Sequence, residues 1–156
     1  SLSGDGQFFA VGLTSFPSPK SKKLQGAALI YRTTSGQPIR VMPHQRPVWS
    51  VALSSDARLL ATGCEDSRLR LFDVASGDAI GKPIKHRGTI RKVVMSLDAS
   101  VVATASATAS ADSIVCRLPR ANGRAVLAPH SETGELLSIS ADGRWTAFAL
   151  DGEILI

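Results

Sequence analysis

Residues 44–73 read HQRPVWSVALSSDARLLATGCEDSRLRLFD, and the pattern of this stretch recurs before and after it. A His precedes an Asp by twelve residues three times, at His44 and Asp56, His86 and Asp98, and His130 and Asp142. The steps between units are 42 and 44 residues, and the chain has only three His residues. Self-similarity at a fixed period of this size predicts a repeat architecture.

Small and apolar residues keep the same register after each Asp of the series, which begins with Asp5. Three residues on lie Phe8, Leu59, Val101 and Trp145, and five residues on lie Ala10, Ala61, Ala103 and Ala147. The His that belongs with Asp5 would lie before Ser1. We therefore expect two full repeats, with the tail of one before them and the front of another after them.

Each unit is predicted to form β-structure. In the second unit Val48, Val51 and Leu53 mark one short strand, and residues 68–72 (RLRLF) alternate as a strand with one solvated face does. A Ser-x-Asp turn separates the first two strands, because Ser and Asp side chains bond to their own backbone. The pattern indicates four short strands per unit and no helix. In the first unit residues 15–25 (SFPSPKSKKLQ) predict an exposed loop. A solvated loop tip is the favoured interpretation, and a binding site for an acidic partner is the less favoured one.

The unit resembles the WD-repeat (WD40) family, whose pattern runs from a Gly-His pair through V-x-x-V-x-F, S-P-D-G and L-A-S-G-S-x-D to Trp-Asp. The second unit matches it best, from His44 through LATG at residues 60–63 and Asp66 to Phe72 and Asp73. The resemblance implies an all-β fold of β-propeller blades, each with four antiparallel strands. Residues 1–156 would then form about three and a half blades of an incomplete ring, which in full has four to eight blades. Blade starts are expected near His44, His86 and His130, with truncated first and last blades.

In this family a Trp, a Ser or Thr, a His and an Asp form a buried hydrogen-bonded network within each blade. Carried over by position, the resemblance places His44, Thr62 and Asp66 in the network of the second unit, and His86, Thr104 and Asp112 in that of the third. Phe72 and Leu118 stand where the pattern has Trp, so these blades are degenerate.

No enzyme signature is present in the sequence. His44, Thr62 and Asp66 have the residue types of a nucleophile, base and orienting acid, but the same trio recurs in another unit, which favours a structural role. The three His residues lie on different predicted blades, so they do not converge on one metal ion. Phosphate-binding Gly-rich loops and Cys-x-x-Cys motifs do not occur. We predict a protein that is not an enzyme and has no cofactor or metal site.

Composition narrows the class further. The chain is 44% hydrophobic and 20% charged, which is typical of a globular protein. No apolar run is long enough to span a membrane, and no signal peptide is visible, although a chain that begins inside a repeat could not display one. Cys64 and Cys116 are distant from each other and have no metal-binding spacing, so we expect reduced thiols and a cytoplasmic location.

The charge of the chain is concentrated in one segment. Lys and Arg total 18 against 13 acids, a net charge of +5, and the excess lies around residues 82–92, which hold five basic residues and no acid. In the WD-repeat pattern this segment lies at the face that commonly receives partners. Arg91 follows His86 by five residues, as Trp49 follows His44. A position that accepts both Trp and Arg is predicted to be exposed, because burying an unpaired Arg costs several kcal/mol. Arg91 is then expected to lie over the indole face.

We use the name basic ridge for the predicted partner-binding residues, which are Arg46, Trp49, Lys85, Arg87 and Arg91. Exposed Arg and Trp together have the composition of a protein-binding hot spot. A merely solvated basic loop is a rival interpretation, and a nucleic-acid face is a less favoured one because no aromatic ladder accompanies the charge.

The sequence therefore predicts a non-catalytic protein-interaction scaffold that binds a protein or peptide, preferentially an acidic one, through its blade-connecting loops. Further propeller blades or a second copy of the chain are expected to cover its end faces. The alternative is a sensor or regulatory propeller domain of a larger signalling enzyme, such as a kinase or a nucleotide-binding protein. A propeller hydrolase or dehydrogenase would need convergent carboxylates or His residues, which the sequence lacks.

Overall fold

The computed structural model describes residues 1–18, 21–107, 112–118, 128–133, 135–150 and 153–155. Its described side chains exclude those of residues 16–18, 21–25, 112, 128–133, 135, 137, 149–150, 153 and 155. Within these residues the chain forms β-strands and no α-helix. No helix long and apolar enough to cross a membrane occurs in this part of the chain.

The strands form four antiparallel sheets in chain order, and within each sheet every strand pairs with the next along the chain. The first sheet contains β1 (Phe8–Ser18), β2 (Ser21–Arg32) and β3 (Pro38–Pro43). The second contains β4 (Val48–Leu53), β5 (Leu59–Cys64), β6 (Arg68–Asp73) and β7 (Ala79–Lys85). The third contains β8 (Ile90–Met95), β9 (Val101–Ser106), β10 (Asp112–Arg117) and β11 (Ala128–Thr133). The fourth contains β12 (Glu135–Ile139), β13 (Thr146–Leu150) and β14 (Glu153–Leu155).

Two four-stranded sheets thus lie between two three-stranded ones, as the repeat pattern predicts. The prediction of an all-β fold built from four-stranded antiparallel units is confirmed.

The Ser-x-Asp turn has the same hydrogen bonds in all four units. In the second unit the Ser54 hydroxyl donates to the Asp56 carboxylate at 2.7 Å and accepts the Leu59 amide at 2.9 Å. Corresponding pairs of bonds form at Ser3, Ser96 and Ser140. The residue after each Asp has a positive φ, and it is Gly6, Ala57, Ala99 or Gly143. The turn aspartates are therefore structural residues, which fix the turn before β1 and the first hairpin of each of the other three sheets.

Neighbouring sheets pack face to face through a repeated match of small and large residues. In the first three sheets the fifth and seventh residues after the turn Asp are small, and they face the following sheet. We call this side the small-residue face. At Gly12 an added Cβ would lie 2.8 Å from the Val48 carbonyl oxygen, and at Gly63 it would lie 2.5 Å from Ile90 Cγ2. Glycine thus allows the first strand of the next sheet to approach closely.

The opposite side, which we call the large-residue face, carries the fourth and sixth residues after each turn Asp. Leu60 of the second sheet packs in one buried cluster with Ala10 and Ile30 of the first sheet. Val102 of the third sheet packs likewise with Ala61 of the second. Each interior sheet therefore buries its large-residue face against the preceding sheet and its small-residue face against the following one.

Two expectations from the sequence require correction. Residues 15–25 were expected to form a loop, but β1 extends to Ser18 and β2 begins at Ser21, with Phe16 paired to Gln25. A two-stranded ribbon satisfies its own backbone hydrogen bonds, so a polar sequence can remain a strand without a core beneath it. His130 lies inside β11 opposite Val115, whereas His44 and His86 directly follow β3 and β7. The fourth repeat unit, which contains His130, therefore departs from the register of the second and third units at its His.

Candidate functional site: the basic ridge

Two equivalent β-bulges form the centre of the basic ridge. Val48 pairs with Cys64 and Ser50 pairs with Gly63, which leaves Trp49 as an extra residue on β4. The same irregularity occurs on β8 between Ile90 and Lys92, and there the extra residue is Arg91. A bulge disturbs the alternation of a strand and redirects a side chain. Trp49 and Arg91 therefore leave the packed core although they stand inside apolar strands.

Arg91 stacks on Trp49 across the gap between the second and third sheets. The guanidinium carbon lies 4.0 Å from the centroid of the indole ring, and 42% of Trp49 is exposed to solvent. The expected exposure and stacking of this pair are thus observed. A guanidinium over an aromatic ring retains N–H donors that can bond to other groups. The pair combines an apolar surface with donors suited to a carboxylate.

Arg46 lies at the side of this pair and is held by the β5–β6 hairpin. Its guanidinium forms an ion pair with Glu65 at 3.4 Å, with 63% of the Arg46 side chain exposed. The Glu65 amide donates to the Pro47 carbonyl at 2.9 Å, and the Cys64 thiol donates to the Arg46 carbonyl at 3.3 Å. The segment before β4 is therefore fixed in position, and the ion pair itself is solvated and weak.

Lys85 and Arg87 extend the ridge on both sides of His86, in the connection between β7 and β8. Both side chains are exposed. Together with His86 and Ile114 they line an open depression of about 460 Å³. Four of the five residues of the basic ridge carry a positive charge, and the fifth is Trp49. The surface therefore favours an anionic partner.

The buried network of the second unit forms only in part as expected. His44 Nε2 lies 2.9 Å from the Thr62 hydroxyl, and His44 Nδ1 lies 2.9 Å from the Met42 carbonyl. Asp66 does not complete this chain, because its carboxylate accepts hydrogen bonds from Arg70 and forms an ion pair with Arg68 at 3.6 Å. Basic residues on the same hairpin supply a closer partner than His44 does. The inclusion of Asp66 in a His44 network is therefore corrected.

The third unit repeats the central bond of this network. His86 Nε2 lies 2.8 Å from the Thr104 hydroxyl, and that hydroxyl also contacts the Ile114 carbonyl at 3.2 Å. The side chain of Asp112 lies outside the described residues. A His–Thr pair at the same place in both four-stranded sheets shows that its role belongs to the repeated framework.

The electrostatics of these groups support a structural role. Burial lowers the pKa of His44, so the imidazole stays neutral beside Thr62. Burial alone would raise the pKa of Asp66, but hydrogen bonds from Arg70, Cys64 and the Arg68 amide, together with the charge of Arg70, hold that pKa below its usual value. Burial raises the pKa of Cys116 to about 12 and also raises the pKa of Cys64. Both cysteines are free thiols, as expected.

The His44–Thr62 pair has the spacing of a base and a nucleophile, but both side chains are buried. A substrate cannot contact the Thr62 hydroxyl without opening the interface between sheets. Among the described residues no three His, Cys, Asp or Glu side chains are grouped so that they could hold a metal ion.

Comparison with known proteins agrees with this geometry. Residues 36–73 match the family model described as "WD domain, G-beta repeat". The structure superimposes on the β-propeller domain of Cps50 (Swd1) from Myceliophteria thermophila with a TM-score of 0.63 and 15% sequence identity. The match covers 84% of this chain and 37% of the other. The chain has a β-propeller fold, in which residues 36–73 match a WD repeat. No curated protein sequence matches it.

The WD-repeat framework explains how the second blade tolerates its missing Trp. Phe72, at the Trp position, lies edge-on to His44, with ring centroids 5.6 Å apart at an interplanar angle of 62°. The phenyl ring keeps the packing of an aromatic residue but offers no N–H to Thr62. The blade thus retains the His44–Thr62 hydrogen bond, with the aromatic ring of Phe72 packed against His44.

Sequence reasoning identified the exposed Trp49–Arg91 pair but missed the bulges that expose it. The spacing of the apolar residues in β4 was a signal from which the bulge could have been predicted. Val48 and Val51 are three residues apart, and strict alternation would place them on opposite faces of the strand. One extra residue between them puts both on the same side.

Proposed function

We propose that this WD-repeat propeller is a non-catalytic scaffold that binds an acidic protein or peptide through the basic ridge. The observation that carries the proposal is the exposed indole of Trp49 beneath the guanidinium of Arg91. An indole left in water by a bulge contributes little to folding. It offers a partner a large contact area at a low entropic cost.

The charge and rigidity of the surface indicate the chemistry of the partner. Each bulge fixes its residue on a paired strand, so the Trp49–Arg91 pair is preorganised. Arg46 and Lys85 add positive charge on either side. A partner segment with one apolar side chain next to Asp or Glu would cover the indole and place a carboxylate at the N–H groups of Arg91.

Intrinsic fluorescence provides a direct test, because the chain has only two Trp residues. In a Trp145→Phe background Trp49 is the single reporter. The probe is an acetylated and amidated Glu-Leu-Glu-Leu-Glu peptide, with Gln-Leu-Gln-Leu-Gln as its neutral counterpart. We expect a saturable change in Trp49 emission with the acidic peptide, weakened at high salt. Arg91→Ala should raise the Kd by about tenfold or more, the usual effect of losing a hot-spot residue.

A matched control exists on the fourth sheet, where Arg144 and Trp145 are both exposed. With a fluorescein-labelled peptide, Trp49→Ala/Arg91→Ala should abolish binding, and Arg144→Ala/Trp145→Ala should leave it unchanged. Both double variants lose the same residue types and the same charge. Equal effects of the two variants, or equal binding of the Gln peptide, would remove the basic ridge as the site.

A further inference from the structure

A groove opens between the first and second sheets, at the opposite end of the strands from the basic ridge. Its volume is about 290 Å³, and both sheets contribute to its walls. Arg32 and Arg40 are the charged residues that line it, and we call it the arginine groove. Ala57 of the β4–β5 turn lies in its wall, whereas Trp49 lies near the start of β4. The groove is thus a site between two packed sheets, separate from the proposed site at Trp49.

The charge of the arginine groove is not required by the repeated framework. Arg32 in the first unit and Asp73 in the second are equivalent, because the carbonyl of each accepts a turn glycine amide four residues on, at 2.9 and 2.8 Å. Eight residues further on, Arg40 stands where the second unit has Gly81. The second unit therefore forms the same turn and strands with one negative charge at these two positions, where the first unit has two positive charges.

Arg40 is held in the groove by its own strand and by the second sheet. The register of β3 against β2 skips Ile39, which is an extra residue beside Arg40 and is 37% exposed. Arg40 Nε donates to the Val74 carbonyl at 3.0 Å, and Arg40 Nη2 donates to the Ala75 carbonyl. Arg40 Nη1 has no hydrogen bond to another described residue. The guanidinium is therefore fixed in place with donors left for a ligand.

Arg32 lies over the Phe8 ring, with its guanidinium carbon 5.1 Å from the ring centroid. Arg32 and Arg40 are both exposed, and among the described residues neither forms an ion pair with a carboxylate. The other side chains that line the groove are apolar, and the largest are Phe8, Ile39 and Val74. Two guanidinium groups without an acidic partner, next to an apolar wall, favour a ligand with an anionic group beside an apolar one.

We propose that the arginine groove binds the free carboxyl terminus of a partner protein whose last residue is apolar. In a C-terminal residue the carboxylate and the side chain leave the same Cα, so both fit within one small groove. Hydrogen bonds from Arg to a carboxylate are strong and directional, which favours a carboxylate bound by Arg32 and Arg40. The apolar side chain would contact Ile39 and Val74. A volume of about 290 Å³ is at the lower limit of ligand pockets, so it suits one or two residues better than a long segment.

Two-dimensional 15N–1H NMR of the labelled protein tests the proposal, because amide shifts report where a weak ligand binds. The probe is acetyl-Gly-Ser-Gly-Leu with a free carboxyl terminus, titrated to about 5 mM so that even a millimolar Kd is detected. We expect saturable shifts at the amides of Ile39 and Ala75. The amidated peptide lacks only the terminal charge, and a peptide that ends in Ser lacks the apolar side chain. Each should bind at least about tenfold more weakly, because it loses one of the two contacts.

Substitution of Arg32 tests the protein side of this contact. Arg32→Asp installs the residue that the second unit has at Asp73, whose carboxylate accepts the Ser76 amide at 2.8 Å. Ser35 stands at the place of Ser76 in the first unit, so the variant should fold. Arg32→Asp and Arg32→Gln should each raise the Kd by at least about tenfold. Arg144→Gln removes an exposed Arg of the fourth sheet and should leave the Kd unchanged.

Arg91→Gln separates the arginine groove from the basic ridge. It removes the central Arg of the ridge and should not change the Kd of this peptide, so failure of one site is distinguishable from failure of the other. Absence of saturation by 5 mM, equal binding of the amidated peptide, or an unchanged Kd in Arg32→Asp would overturn the proposal. An amidated acetyl-Gly-Leu-Glu-Gly peptide carries its charge in a side chain. Equal binding of that peptide would also overturn the assignment to a carboxyl terminus.

Discussion

Substitution of Gly63 by Ala tests the packing rule that joins neighbouring sheets. An added Cβ would lie 2.5 Å from Ile90 Cγ2 and 2.7 Å from Val93 Cγ2. Carbon atoms in contact normally lie about 3.5–4.0 Å apart, so the two sheets would need to separate by about 1 Å. Ile90 and Val93 are buried and β-branched, and they cannot rotate out of the way.

The expected cost of this substitution follows from two opposing effects. Overpacking of a core costs about 1–3 kcal/mol. Removing a Gly from a strand recovers about 0.5–1 kcal/mol of backbone entropy. We therefore expect Gly63→Ala to lower the free energy of unfolding by about 1 kcal/mol, the difference between the midpoints of these two ranges.

Urea unfolding followed by circular dichroism measures this cost, and a double-mutant cycle with Ile90→Ala assigns it to the contact. Ile90→Ala removes Cγ2, so the added Cβ should cost less in that background. Ala105 occupies the same position in the third sheet and provides the reverse control. Its replacement by Gly should destabilise the protein by about 0.5–1 kcal/mol. An unchanged or raised stability of Gly63→Ala, or independence from Ile90, would refute the packing rule.

The remaining predictions concern turns, pH and thiols. Ala57 and Ala99 have φ of 56° and 55°, a conformation that costs an L-residue about 1–2 kcal/mol. Their replacement by Gly should stabilise the protein by about 0.5–1 kcal/mol after the entropy of the unfolded chain is included. Burial lowers the pKa of His44, so its contribution to stability is complete above the unfolded pKa near 6.5 and is lost as the pH falls below it. The urea midpoint should decrease when the pH is lowered from 7.5 to 5.5, and this decrease should be smaller in His44→Gln than in the parent. The pKa of Cys116 is about 12, so iodoacetamide at pH 8 should modify this thiol only after unfolding, as mass spectrometry would detect.

Each of these predictions has a clear contrary result. Destabilisation by Ala57→Gly would show that the turn has no backbone strain to relieve. An equal acid response of His44→Gln and the parent would assign the pH dependence to other groups. Rapid alkylation of Cys116 in the folded protein would contradict its burial.

The sequence determined the fold class of this protein and the position of its repeats. The spacing of His44, His86 and their turn aspartates, with small residues at fixed offsets, is sufficient because each unit must bury the same faces in the same way. The exposure of the Trp49–Arg91 pair was predictable for a related reason. Only a solvated position accepts both Trp and Arg at the same offset in two units.

Only the tertiary structure decided the hydrogen-bond partners of the polar groups and the lengths of the strands. Asp66 bonds to Arg70 and not to His44, because hydrogen-bond partners depend on distances across a hairpin that residue types do not fix. The long β1–β2 ribbon has no amphipathic signal, since its pairing is carried by backbone atoms common to all residues. The bulges at Trp49 and Arg91 depend on strand register, which is set by packing between sheets. The burial of Leu60 and Thr62 appears only when the sheets are stacked, because burial is a property of neighbours in space.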